Sequence, residues 1–120
     1  MARILLADDD KATRDLVKRA LEADGHYVEL TQDGTEALER LTSDPDTLDL
    51  LVSDVHMPGL DGIELASRAI ASAPRVRLLL MSGFAEELER ARGLPSDRLA
   101  VIVKPFTLEQ IRQAVRTLLG

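Results

Sequence analysis

Apolar positions fall into five short, nearly continuous runs: Arg3–Ala7, His26–Leu30, Leu48–Ser53, Val76–Met81 and Ala100–Val103. Each has the length of one buried strand rather than a helix. Between them the apolar positions recur with helical spacing, as in Ala12, Leu16, Val17, Ala20 and Leu21, then Ala37, Leu38 and Leu41, then Ile63, Ala66 and Ile70. Phe84, Leu88 and Ala91 predict a fourth helical face, and Leu108, Ile111, Val115 and Leu118 a fifth. The punctuation agrees. Gly25 and Pro74 stop helices, and Gly93 with Pro95 cuts the fourth one short. Asp33 with Glu36, Asp61 with Glu64 and Thr107 with Gln110 have the capping-box spacing of helix starts. Five strand–helix alternations with strands apolar throughout predict an α/β fold with a doubly wound parallel sheet. No repeat, low-complexity stretch or linker divides the chain, so residues 1–120 are expected to form one domain.

Composition narrows the picture. The chain is 45% hydrophobic but only 2% aromatic, so the core must be built from Leu, Ile, Val and Ala. It has no cysteine, which excludes disulfides and thiolate metal sites. Fifteen Lys and Arg against 21 Asp and Glu give a net charge of −6, which argues against a nucleic-acid-binding face. No apolar window reaches membrane-spanning length, and the run after Met1 is too short for a signal peptide. A cytoplasmic protein without membrane contact is expected.

The chemistry lies just after the strands. Asp8, Asp9 and Asp10 follow the first run, Asp54 the third, Ser82 the fourth and Lys104 the fifth. In a parallel sheet these positions share one edge, the edge where open α/β sheets bind ligands. Carboxylates gathered there repel one another, and a hard divalent cation resolves the conflict. Mg2+ takes oxygen ligands and leaves positions open for water and phosphate oxygens. The set therefore points to phosphoryl transfer, with Asp54 as nucleophile forming an acyl phosphate and Lys104 and Ser82 contacting the phosphoryl oxygens. Taken singly, each feature has a bland reading. An acidic triplet suits a helix start, Asp10 reads as a cap, a strand-terminal Asp is often a turn residue, and Lys-Pro is a common loop start.

Together the segments ILLADDD, LVSDVHMPGLDG, LLLMSG and VIVKPF resemble, in order and spacing, the receiver domain of two-component response regulators over essentially the whole chain. The resemblance implies a flavodoxin-like or CheY-like five-stranded sheet of order 2-1-3-4-5. It implies Asp54 as the phosphorylated residue, and Asp9 and Asp54 as Mg2+ ligands with the backbone carbonyl of His56. It further implies Asp8 acting on the metal through water, Ser82 as the switch hydroxyl and Lys104 as the site lysine. It implies a histidine kinase or histidine phosphotransfer protein as donor, a downstream protein target, and no enzymatic activity beyond self-modification and self-dephosphorylation.

The chain also departs from the family pattern. Val101 stands where the switch aromatic usually sits, three residues before Lys104, so output must rely on loop and helix movement. The short fourth segment is a candidate to order on phosphorylation or partner binding. His56 is expected at the site rim, tuning dephosphorylation. Phe84 is either ordinary core or a shield over the phosphoryl group, and His26 is expected to be structural. The start at Met1 and the end just past the fifth helix lead us to expect a single-domain regulator without an output domain. MARILLADDD, MSGFAEE and the missing aromatic are similar to single-domain CpdR-type regulators, which act as adaptors for a AAA+ protease. The alternatives are a receiver of a hybrid histidine kinase and, on the Asp8-x-Asp10 pattern, a haloacid-dehalogenase-type phosphatase. A monomer or a weak phosphorylation-dependent dimer is expected. Arg112 and Arg116, with Glu86, Glu87 and Glu89, are candidates to pair across such a dimer.

Overall fold

The computed structural model describes residues 1–94 and 96–120. Its order is β1 (Arg3–Ala7), α1 (Lys11–Ala23), β2 (Tyr27–Thr31), α2 (Gly34–Ser43), β3 (Leu50–Asp54), α3 (Gly62–Ser72), β4 (Arg77–Ser82), α4 (Ala85–Arg92), β5 (Leu99–Val103) and α5 (Leu108–Leu119). All pairings are parallel and the strand order is β2-β1-β3-β4-β5, as expected.

Strand side chains alternate between two aliphatic layers. Leu5, Leu51, Leu78 and Leu80 face the layer packed by α2, α3 and α4, including Ala37, Leu41, Leu65, Ala66 and Ala91. Ile4, Leu6, Leu50, Val52, Leu79 and Met81 face Val17, Leu21, Ile111 and Val115 of α1 and α5. Both faces of the central strands are thus dry, and polar residues concentrate at the strands' carboxyl ends. Register aligns those ends, with Ala7 beside Ser53, Asp54 beside Met81, and Ser82 beside Val103.

Helix starts follow the sequence. Asp10 caps α1 through Ala12 N–H, Asp33 caps α2 through Glu36 N–H, and Asp61 caps α3 through Glu64 N–H. Only α5, among the described elements, carries the complete reciprocal box, between Thr107 and Gln110. At α2 and α3 the cap bonds run one way. Glu64 pairs with Arg68 instead of reaching back. The fourth helix is short, at eight residues, and ends at Gly93. The proposed break at Pro95 lies outside the described residues.

Several apolar expectations fail, with Ala12 and Val103 exposed among them. Leu16 is 47% exposed, Leu108 39% and Phe84 61%. Phe84 is extended backbone at the N-cap of α4, so its side chain leaves the helical stripe. It is therefore not core. Leu108 begins α5 at the carboxyl edge of the sheet, and Leu16 lines a surface hollow there with Lys104 and Phe106.

Two glycines allow the helices to dock. A methyl group on Gly62 would strike the Asp54 carbonyl oxygen and come within 2.8 Å of the Val55 Cα. One on Gly34 would strike the Leu60 carbonyl. Gly62 N–H donates to the Val55 carbonyl at 2.9 Å, which ties α3 to the end of β3. Gly62→Ala should therefore lower unfolding stability by about 1–3 kcal/mol, because backbone has to move. Gly83→Ala, where an added methyl meets nothing within 4 Å, should change it by no more than about 0.5 kcal/mol. Urea denaturation of the two variants checks the contrast.

Candidate functional site

The sheet brings together the residues that the sequence scatters. The carboxylate oxygens of Asp8, Asp9 and Asp54 lie within 4.8 Å of one another. Asp8 and Asp54 are buried, at 0% and 5% exposure, and Asp9 is exposed. Lys104 Nζ reaches Asp54 Oδ2 at 3.0 Å. The Lys104 backbone N–H is held by the Ser82 carbonyl at 2.8 Å, which fixes where that lysine leaves the sheet.

Burial sets the electrostatics. It pushes the Asp8 carboxyl up to about 6, against the hydrogen bond from Asp10 N–H and with help from the Asp54 charge. Burial also raises Asp54, opposed by Lys104 and by the His56 N–H, while the charge of Glu87 pushes it further up. Asp8 Oδ1 accepts from Asp10 N–H at 2.9 Å. Its other oxygen, Oδ2, is buried without a hydrogen-bond partner. A buried carboxylate oxygen left without a donor, facing two more carboxylates, is a donor set for a hard divalent cation.

The remaining candidates separate. Asp10 is occupied as a cap, accepting from Ala12 N–H at 3.2 Å and from the Thr13 hydroxyl at 2.7 Å. That matches the plain reading of Asp10 as a helix cap. The His56 side chain is exposed beside the site, as expected of a rim residue. His26 accepts from the Ala2 N–H through Nδ1 at 3.0 Å, just before β2 and on the far side of the sheet, which is a structural role. Val101 is half-buried and packs on the α2–α3–α4 layer as a plain sheet residue. Phe84 is mostly exposed at the start of α4.

Ser82 is fully buried at the end of β4, but its hydroxyl is engaged by the Phe84 carbonyl and by Glu87 Oε1, each at 3.1 Å. Glu87 was expected on an interface and is instead buried. Arg112 and Arg116 were expected on the same interface and are already paired within the chain. Arg112 Nε donates to Asp24 at 3.0 Å, Arg116 reaches Asp24 at 3.2 Å, and both approach Glu109. Glu89 pairs with Arg92. No motif marks Arg14, which donates to the Asp8 carbonyl at 3.1 Å from the first turn of α1.

Known proteins resemble this chain in sequence and in fold. A family model described as the response regulator receiver domain matches residues 4–116. The chain is 39% identical over 117 residues to the response regulator MprA of Mycobacterium ulcerans, covering 98% of this chain and 50% of that one. It thus spans about half the length of the curated relatives it matches. It is similar to the crystal structure of the receiver domain from the hybrid histidine kinase CckA, with 30% identity, a TM-score of 0.83, and coverage of 98% and 99% of the two chains. It is also similar to the response regulator protein TrrA from Thermotoga maritima in complex with Mg2+-BeF, with 27% identity, a TM-score of 0.86, and 98% and 99% coverage. Among the described residues no helix is long and apolar enough to cross a membrane.

The raised Asp8 carboxyl makes stability depend on pH. Between its ordinary value of 3.8 and about 6 the folded state holds a proton that the unfolded state has lost. Without divalent cations, stability should therefore fall as pH rises through that window, by on the order of 2–3 kcal/mol. Asp8→Asn should abolish most of that loss and be the more stable protein at pH 7. Thermal melts in chelator between pH 4 and pH 7 measure both.

Proposed function

The chain belongs to the response regulator receiver domain family, and from that premise we propose that Asp54 accepts a phosphoryl group in the cytoplasm from a histidine kinase or phosphotransfer protein. The observation that carries this is a buried Asp54 held by Lys104 at 3.0 Å beside two further carboxylates. Burial strips Asp54 of water, and the lysine fixes its orientation through Oδ2. The oxygen that Lys104 does not hold attacks phosphorus in line. The donor's P–N bond breaks, its electron pair stays on the departing imidazole, and Asp54 becomes an acyl phosphate. Lys104 then follows the negative charge onto a phosphoryl oxygen.

Asp9, Asp54 and the His56 carbonyl would hold Mg2+, with Asp8 acting through water; its buried, partnerless Oδ2 supports this assignment. When bound, Mg2+ offsets the charge of the carboxylates and of the phosphoryl oxygens. Ser82 supplies a hydroxyl to the phosphoryl group once its present bonds are released. Hydrolysis returns the site, as water attacks phosphorus, phosphate leaves and Asp54 regains its carboxylate. His56, exposed at the rim, limits the approach of that water.

The result is a switch in protein–protein contacts around α4 and α5. The downstream partner is a protein, and the likeness of MARILLADDD and MSGFAEE to CpdR-type adaptors makes a AAA+ protease the first candidate to test.

Intact-mass spectrometry after incubation with Mg2+ and a small acyl-phosphate donor should show one added phosphoryl group on the wild type and none on Asp54→Asn. Lys104→Met should slow the addition at least about tenfold. An adduct on Asp54→Asn would place the acceptor elsewhere. In the same assay His56→Asn should shorten the lifetime of the adduct severalfold, and an unchanged lifetime would remove His56 from the site's chemistry.

A further inference from the structure

Glu87 is the one carboxylate near Asp54, among the described residues, that the chemistry above leaves without a task. It lies in the first turn of α4 and is only 8% exposed. Its Oε1 accepts from the Ser82 hydroxyl at 3.1 Å and from the Gly83 N–H at 3.1 Å. Phe84, the N-cap residue, offers no side-chain bond to the start of α4, and the Glu87 carboxylate reaching back to the Gly83 N–H ties that start to the end of β4. A serine hydroxyl carries one proton and donates one good bond at a time. Here the proton has two acceptors, the Phe84 carbonyl and Glu87, and the charged acceptor is the stronger. Ser82 is therefore held toward α4.

We propose that Glu87 is a positioning residue that competes with the phosphoryl group for the Ser82 hydroxyl, and that losing this competition releases the start of α4. The latch presupposes that Asp54 is the phosphoryl acceptor. Phosphorylation replaces a carboxylate with a group of charge about −2 bearing strong acceptor oxygens. The new acceptor draws the Ser82 hydroxyl, and its charge repels the Glu87 carboxylate. Left with Gly83 N–H alone beside an increased negative charge, Glu87 turns out to solvent and α4 loses its N-terminal tie. Val101 offers no aromatic ring to carry the change, whereas the Ser82–Glu87–Gly83 bonds connect the site directly to α4.

Glu87→Gln keeps the size and an acceptor oxygen but removes the charge, while Glu87→Ala removes both. With Mg2+ and beryllofluoride as the phosphoryl mimic, Glu87→Ala should bind the mimic about tenfold more tightly than wild type, and Glu87→Gln should fall between. The amide resonance of Gly83 provides a readout that helix stability alone does not move. In the wild type it should shift on adding beryllofluoride toward its position in free Glu87→Ala. Wild-type affinity in both variants, or a Gly83 resonance that stays put as the mimic binds, overturns the latch while leaving Asp54 as acceptor. If the wild type binds no beryllofluoride and takes no phosphoryl group from the donor, the acceptor assignment fails and the latch falls with it.

Discussion

Two buried carboxylates at the carboxyl edge of a dry sheet set the terms for this molecule. Asp8 and Asp54 are removed from water and, with Asp9, have oxygens within 4.8 Å of one another. Like charges at that separation repel by roughly 3–4 kcal/mol at an effective dielectric near 20. Lys104 answers part of that repulsion on Asp54, and the Asp10 N–H answers one oxygen of Asp8. Burial keeps both carboxyl groups raised, with the Asp54 charge adding to it at Asp8, and Asp8 Oδ2 stays unsatisfied. Stability and chemistry are thus opposed at one place. The folded chain keeps a local instability that a divalent cation would relieve, and the two aliphatic layers supply the burial that sustains it.

The geometry of that edge depends on close backbone approach as much as on charge. Gly62 lets α3 begin against the Asp54 carbonyl, and Gly34 lets α2 meet the Leu60 carbonyl in the loop between them. Both contacts pin the segment that follows Asp54. At the opposite edge Arg98 donates to the Ala73 and Val76 carbonyls at 3.1 and 2.6 Å, closing the end of α3 onto the approach to β5. Lys104 is thereby presented from a strand fixed at both ends, by Arg98 at its start and by the Ser82 carbonyl at its finish.

Much of this was legible in the chain. Nearly continuous strand runs and period-3.6 helical stripes placed the ten described elements closely, because both faces of the sheet are buried and the signal is strong. Asp8, Asp9, Asp54 and Lys104 stand out by their placement after strands, and the parallel topology turns that placement into proximity. What escaped depends on side-chain direction. Phe84 has helical spacing but extended backbone. Arg112 and Arg116 looked free for a partner, but their contact is Asp24 at the end of α1, far away in sequence. Glu87 looked like one of three surface acids, and only the fold of the β4–α4 turn shows it facing inward. Gly34 carried no motif, and its constraint comes from Leu60, which is not a sequence neighbour.

The loop after β4 joins these observations. A hydroxyl at the end of a central strand must find an acceptor, because a buried O–H without one is costly. In this chain the acceptor is a carboxylate three residues into the next helix, so the site and α4 share a proton donor. A short helix without a side-chain N-cap has few competing ties at that end. It can therefore respond to a change in one hydrogen bond, where a longer, fully capped helix such as α5 would not. Val101, small and aliphatic, packs quietly beneath it and leaves the polar route as the connection between Asp54 and the surface.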